Sequence, residues 1–309
     1  MSDPALFRPE AIDPETAAFN AQLAAKLPNL PSLASQPLEV ARTARESGRG
    51  VFGPLVLSDM AVDRRIAGGV RLRCFTPETV TGVYLHIHGG GFTLGAAHYN
   101  DPALEEMARS AQVAVASIEY RLAPENPYPA GLDDCQTAAE WLLDHALAEF
   151  GSTRLLIGGD SAGANLAAAT LIRLRDRRGS TGFSAANLTY GVYDLALTPS
   201  ARNSPDSLVI NTDAIRWFHA QYARPERYCE PEISPLYADL HDLPPALFIV
   251  GTADPLLDDT LFMHARWIAA GNQAELAIYP GGVHGFTGFD FPAAHQAHKR
   301  MHDFLRAAH

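Results

Sequence analysis

The apolar run Leu155-Leu156-Ile157 leads through Gly159-Asp160-Ser161-Ala162-Gly163 into the helix-forming run Ala164-Asn165-Leu166-Ala167-Ala168-Ala169. A buried strand, a tight turn and a helix in direct succession constrain the fold more than any other stretch of the chain. A G-x-S-x-G turn at such a junction holds its serine in a strained conformation with the hydroxyl above the sheet, the form of a nucleophile elbow. Crowding at the turn gives the flanking glycines a steric reason to be there. The helix that follows offers free N–H groups and a positive dipole end where an oxyanion forms. Chance alone produces G-x-S-x-G in roughly one chain in ten of this length, so the surrounding pattern has to carry the reading.

That pattern is an alternation. Residues 55–60 and 69–75 read as an opening antiparallel pair. Residues 83–88, 113–120, 155–158, 187–194, 246–251 and 274–279 read as further strands, and helical periods fall at 131–147, 162–178, 257–270 and 292–308. Strands separated by helices predict an α/β fold with a mostly parallel central sheet covered on both faces. Residues 1–50 stand apart. Asp13-Pro14-Glu15 is a helix start, Phe19, Leu23 and Leu27 share one face, and Pro28 and Pro31 end the helix. A second helix is expected from Leu38 to about Arg49. The division expected is therefore an N-terminal helical cap segment, 1–50, and a catalytic domain, 51–309, with 197–230 contributing to the cap through a helix at 212–222.

Size and charge narrow the classes. The 309 residues are 47% hydrophobic, enough for one large domain with a sizeable core. A net charge of −11 argues against nucleic acid as a partner. Cys74, Cys135 and Cys229 are scattered and odd in number, which speaks against a disulfide framework or a zinc knuckle. There is no basic stretch followed by an apolar one at Met1-Ser2-Asp3-Pro4 and no apolar run of about 18 residues. The expectation is a cytoplasmic protein that does not engage a membrane.

Three further motifs converge on the elbow. His88-Gly89-Gly90-Gly91-Phe92 follows a strand, and its glycines let a backbone turn present N–H groups without side chains in the way, one half of an oxyanion hole; Ala162, next to Ser161, supplies the other half. Asp254 in Gly251-Thr252-Ala253-Asp254-Pro255 lies past the end of a strand, where α/β sites are built, although such an acid is also a helix N-cap and Asp258 and Asp259 are rivals. His284 sits among small residues past the last strand, whereas His295, His298, His302 and His309 read as solvated. His86 and His88 share a face of their strand, but a catalytic zinc wants about three protein ligands and no third is near. No metal and no cofactor is expected. Ser161, Asp254 and His284 stand in the chain order of the α/β-hydrolase triad.

With these residues, and with Tyr120-Arg121-Leu122-Ala123-Pro124-Glu125, Asp254-Pro255-Leu256 and His284-Gly285-Phe286, the chain resembles the hormone-sensitive-lipase-like esterases, the bacterial group called family IV. The match runs from about residue 80 onward; Ala164 stands where the family usually has a further glycine. The resemblance implies an α/β-hydrolase fold with a helical cap and a serine carboxylesterase for short-chain acyl esters. Ser161 attacks, His284 is general base, and Asp254 holds its imidazole. Two of Gly89, Gly90 and Gly91, with Ala162, bind the oxyanion. Asp160 orients the elbow, and the segment 120–129 braces the glycine turn. Phe92, Ile210, Trp217 and Phe286 are candidates for apolar pocket walls or for core. Amide, lactone or arylformamide hydrolysis uses the same triad and is the alternative, and a binding-only relative would have lost the catalytic histidine that this chain keeps. A small-molecule ester is the expected partner. Relatives are monomers or dimers, and an edge strand late in the sheet offers a two-fold contact. Activity should fall below about pH 6, since a general-base histidine must be neutral.

Overall fold

The computed structural model describes residues 3–27 and 36–308. Its strands form mostly where apolar side chains are buried on one or both faces, the edge strand Val62–Arg65 being polar and largely exposed. They are β1 (Val62–Arg65), β2 (Arg71–Phe75), β3 (Gly82–Ile87), β4 (Val113–Glu119), β5 (Leu155–Asp160), β6 (Ala185–Thr189), β7 (Ala246–Gly251) and β8 (Ala274–Tyr279). Among the described residues these make one sheet in the order β1-β2-β4-β3-β5-β6-β7-β8, parallel from β4 to β8 and antiparallel at β1–β2 and β2–β4.

The helices are α1 (Pro14–Lys26), α2 (Leu38–Glu46), α3 (Asp101–Ala111), α4 (Ala130–Phe150), α5 (Ala162–Arg178), the single turn α6 (Pro199–Arg202), α7 (Thr212–Tyr222), α8 (Leu257–Ala269) and α9 (Pro292–Ala307). Period two sends Val83, Leu85, Ile87, Leu155, Ile157 and Phe248 to a core shared with α4, α5 and α8. Tyr84, Val113, Val115 and Leu156 go to the opposite face with Leu104, Met107 and Leu305 of α3 and α9. Both faces are thus covered, and the central strands β3, β5 and β7 read as nearly continuous apolar runs for that reason.

Three expectations need correction, and one helix was not expected. Residues 55–60 are not a strand: Val56 and Leu57 are 60% and 64% exposed, and the first strand lies at Val62–Arg65. It pairs with β2 through a turn closed by the Ile66 N–H on the Val70 carbonyl, with Gly68 and Gly69 at positive φ. The strand expected at 187–194 ends at Thr189, because Tyr190 turns to a φ of 36° and gives its N–H to Ile249. α2 stops at Glu46. Helix α3 went unread, although Asp101-Pro102 opens it and Leu104, Met107, Ala108 and Ala111 form its buried stripe. Pro28 and Pro31 lie outside the described residues.

Candidate active site

The elbow forms because two backbones pass almost in contact. A Cβ on Gly159 would lie 2.2 Å, and one on Gly163 1.9 Å, from the Ile87 carbonyl oxygen at the end of β3. Only glycine lets the β5–α5 junction come so close to its neighbour strand. Ser161 is held at φ 55°, ψ −119°, with its N–H bonded to the Thr189 carbonyl of β6 at 2.9 Å. A β-carbon-bearing residue at positive φ costs energy, and the two neighbouring strands enforce it.

β7 and β8 are adjacent and parallel, so the loops leaving their C-terminal ends lie side by side. Ala253 N–H bonds to the Gly282 carbonyl at 3.0 Å and Gly281 N–H to the Thr252 hydroxyl at 2.8 Å. The lacing puts His284 Nδ1 at 2.9 and 3.1 Å from the two Asp254 carboxylate oxygens, and His284 Nε2 at 2.9 Å from Ser161 Oγ. An ionised carboxylate only accepts, so Nδ1 carries the proton and Nε2 is left to accept the serine hydroxyl. Asp254 and His284 are 3% and 6% exposed. Asp254 also accepts the Leu256 N–H at 2.8 Å; α8 begins at Leu257 with Leu256 in the cap position, so Asp254 is not its N-cap. Its rivals are engaged elsewhere: Asp258 accepts from Ser200, and Asp259 accepts from the N–H groups of Tyr193 and Asp194 and from the Thr198 hydroxyl.

The glycine turn is framed from three sides. Gly90 and Gly91 sit at φ 114° and 60°. A Cβ on Gly89 would meet the Asp160 carboxylate, and one on Gly91 the Phe218 ring of α7. Tyr120 stacks on His88, centroids 4.2 Å apart, and gives its hydroxyl to the His88 carbonyl at 3.0 Å; Ala123 N–H bonds to Phe92 O at 2.9 Å. The bracing expected of the segment after Tyr120 is therefore present. Ala162 opens α5, where an N–H has no partner within its own helix.

His86 and His88 have protein partners: His86 faces Ser117 Oγ at 2.9 Å and Asp160 at 3.5 Å, and His88 Nδ1 lies 2.8 Å from Gly89 O. Phe92 and Phe286, at 2% and 0% exposure, are core: Phe92 stacks on Tyr222 and Phe286 meets Tyr190, Tyr279 and Phe291. Of the two readings open for these aromatics, pocket wall or core, the packing of Phe92 and Phe286 matches core, whereas Ile210 and Trp217 keep partly open faces. His302 is buried, not solvated, because it lies on the inner face of α9, and His309 lies outside the described residues. A groove of about 520 Å³ lined by Arg42, Arg71, Glu119 and Asp134 contains none of the triad.

Sequence reading missed Tyr190, whose ring meets His284 edge-on at 5.1 Å while its hydroxyl pairs with Thr287. Its place just past a strand end, like that of Asp254, was the available signal. Also missed were contacts from the N-terminal helices. Asn20 of α1 donates to the Gly281 carbonyl at 2.8 Å, and Arg42 of α2 donates to the Thr93 carbonyl. Both reach loops that carry site residues.

A family model described as the alpha/beta hydrolase fold matches residues 84–288. The chain belongs to the hormone-sensitive-lipase-like α/β hydrolases. Carboxylesterase NlhH of Mycobacterium tuberculosis is 34% identical over 79% of this chain and 82% of its own. An ethyl acetate hydrolase of Pseudomonas putida is 29% identical over 83% of this chain and 85% of its own. Among solved structures, a hormone-sensitive lipase from a metagenome library superposes with a TM-score of 0.85 at 27% identity, covering 96% of this chain and 99% of that one.

Proposed function

We propose that this family member is a serine carboxylesterase for short-chain acyl esters, working through Ser161, His284 and Asp254. That it is a carboxylic ester hydrolase rests on its relatives; the triad and the chain length are our reading. One observation carries it: a buried imidazole bridges the strained serine and a buried carboxylate, with 2.9 Å on either side.

In this reading Ser161 Oγ attacks the ester carbonyl carbon as His284 Nε2 takes its proton. The carbonyl electron pair moves to oxygen, and the oxyanion is met by N–H groups of the glycine turn (Gly90 with Gly89 or Gly91) and of Ala162. The proton on His284 passes to the departing alcohol, leaving an acyl-serine. Water, deprotonated by the same imidazole, then releases the acid. Asp254 keeps the proton on Nδ1 and stabilises the imidazolium. These steps call on no metal or cofactor.

The short acyl preference is supported by the relative named for ethyl acetate. We assign residues 1–50 and 197–230 to a cap over a catalytic domain formed by the remainder. Cytoplasmic residence is supported by three free cysteines; among the described residues no helix is long and apolar enough to cross a membrane. A monomer or a two-fold dimer is proposed.

The test is hydrolysis of p-nitrophenyl esters from acetate to laurate. Wild type should be fastest on the short chains, and Ser161→Ala should lose about 10⁵–10⁶ in kcat. Equal rates in the two proteins would remove the serine mechanism, and a preference for laurate would remove the short-chain assignment.

A further inference from the structure

Arg42 projects from α2 onto the backbone that leaves the glycine turn. Its Nη2 donates to the Thr93 carbonyl at 2.9 Å and to the Ala123 carbonyl at 3.1 Å, and its Nε to Thr93 O at 3.2 Å. The same guanidinium meets the Glu125 carboxylate fork to fork, at 2.8 and 3.0 Å. Thr93 is fully buried; its hydroxyl donates to the Gly91 carbonyl at 2.7 Å and its N–H to the Gly90 carbonyl at 3.1 Å. Ala123 in turn donates to Phe92 O. Among the described residues no other donor reaches the Thr93 carbonyl. The guanidinium therefore ties down both strands of backbone that frame the glycine turn, one of them a single residue away from it.

We propose that Arg42 is a positioning residue for the oxyanion-binding turn, so that helix α2 is part of the frame of the catalytic site; this rests on the serine-esterase reading above. The pair with Glu125 is not itself the point. Glu125 has half its side chain in solvent, and such surface pairs add little stability. What the pair does is hold a planar group with rigidly spaced donors against two carbonyls. A lysine ammonium is a point charge and cannot span the same set.

The test compares wild type with Arg42→Met, Arg42→Lys and Glu125→Gln on p-nitrophenyl acetate. Each is also titrated with an alkyl trifluoromethyl ketone, to which Ser161 adds to give a tetrahedral oxyanion while its proton moves to His284. A misplaced turn weakens transition-state binding more than substrate binding. Arg42→Met should lower kcat about tenfold or more, within the 10²–10³ that one whole oxyanion donor supplies, with KM nearly unchanged. The inhibition constant of the ketone should rise by the factor by which kcat/KM falls. Arg42→Lys should recover little, and Glu125→Gln, at a site exposed enough to preserve folding, should give a smaller loss of the same kind. A raised KM with kcat and ketone affinity intact would show that Arg42 only docks the helix, and overturn the proposal. Unchanged kinetics in Glu125→Gln together with full rescue by lysine would overturn it as well. Failure of the underlying reading looks different: wild type itself would then show no Ser161-dependent hydrolysis.

Discussion

At the scale of single residues, the geometry turns on missing side chains. Gly159 and Gly163 bracket Ser161 in space as well as in sequence, and both face the Ile87 carbonyl. The obstacle is backbone of a central strand, which cannot swing aside as a flexible side chain would. Gly163→Ala places a methyl group 1.9 Å from that oxygen, so α5 must tilt or β3 must shift. We expect a destabilisation of about 3 kcal/mol or more and loss of esterase activity, read by urea denaturation and by p-nitrophenyl acetate turnover. Ala164 lies one residue further into α5 and is fully buried in the core there, so a methyl group is accommodated at the position where the family usually carries glycine.

Elements are held to one another by a few buried polar ties. Arg173 of α5 is 3% exposed and pairs with Glu232 at 2.6 and 2.9 Å and with Asp133 of α4 at 2.6 Å; Tyr128 also gives its hydroxyl to Glu232. Burial opposes the charge on this guanidinium, yet its two carboxylate partners keep its proton on more firmly than usual. The partners are half open to water, with side-chain exposures of 35% and 49%, so they rehydrate if the arginine is removed. Removing Glu232 instead leaves a buried cation with one carboxylate partner, beside the Gln136 amide oxygen at 3.4 Å. Glu232→Ala should therefore cost about 3 kcal/mol and Arg173→Met nearer 1, an order that reverses what counting ion pairs predicts. Chemical denaturation of the two variants decides it.

For the whole molecule, the prediction concerns acid. Burial pushes His219 and His302 down to about 4. Unfolded, each would bind its proton near 6.5. Between those values the unfolded chain holds more protons, so this stabilisation is complete above about pH 6.5 and is lost as pH falls toward 4. Asp259 acts the other way: burial raises it to about 7, and the folded chain then keeps a proton that the unfolded chain has given up. Burial lowers His88 and His264 as well and raises Asp194; the histidines outnumber the raised carboxyls, so stability is lost on acidification. The urea midpoint should fall between pH 6.5 and 4.5. His302→Leu should flatten that slope, since leucine removes one proton site and fills a place where Nε2 has no partner among the described residues. An unaltered slope would show that His302 does not carry the linkage.

Much of this could be read in the chain itself. Period-two burial on strands packed from both sides and glycines forced by close backbone approach leave local marks, so the parallel sheet, α5, α7, the elbow and the glycine turn were legible. Each of Ser161, Asp254 and His284 stands just past a strand end, a position that sequence can recognise. The distances that join them were not legible, because only the parallel sheet brings the C-terminal ends of β5, β7 and β8, far apart in the chain, to one edge. The misplaced first strand and the overlong sixth show the limit: apolar character was present at 55–60 and 190–194, but pairing partners and a left-handed turn at Tyr190 decided where strands ran. Phe92 and Phe286 show it for the pocket, since an aromatic side chain looks the same in a string of letters whether it lines a cavity or fills a core. Arg42 lies 51 residues from the carbonyl it holds, and no local pattern marks a contact made by a charged side chain across that separation. Local chemistry and periodicity thus determined the fold class and the candidate reacting groups; long-range packing alone decided which of them meet and what holds them in place.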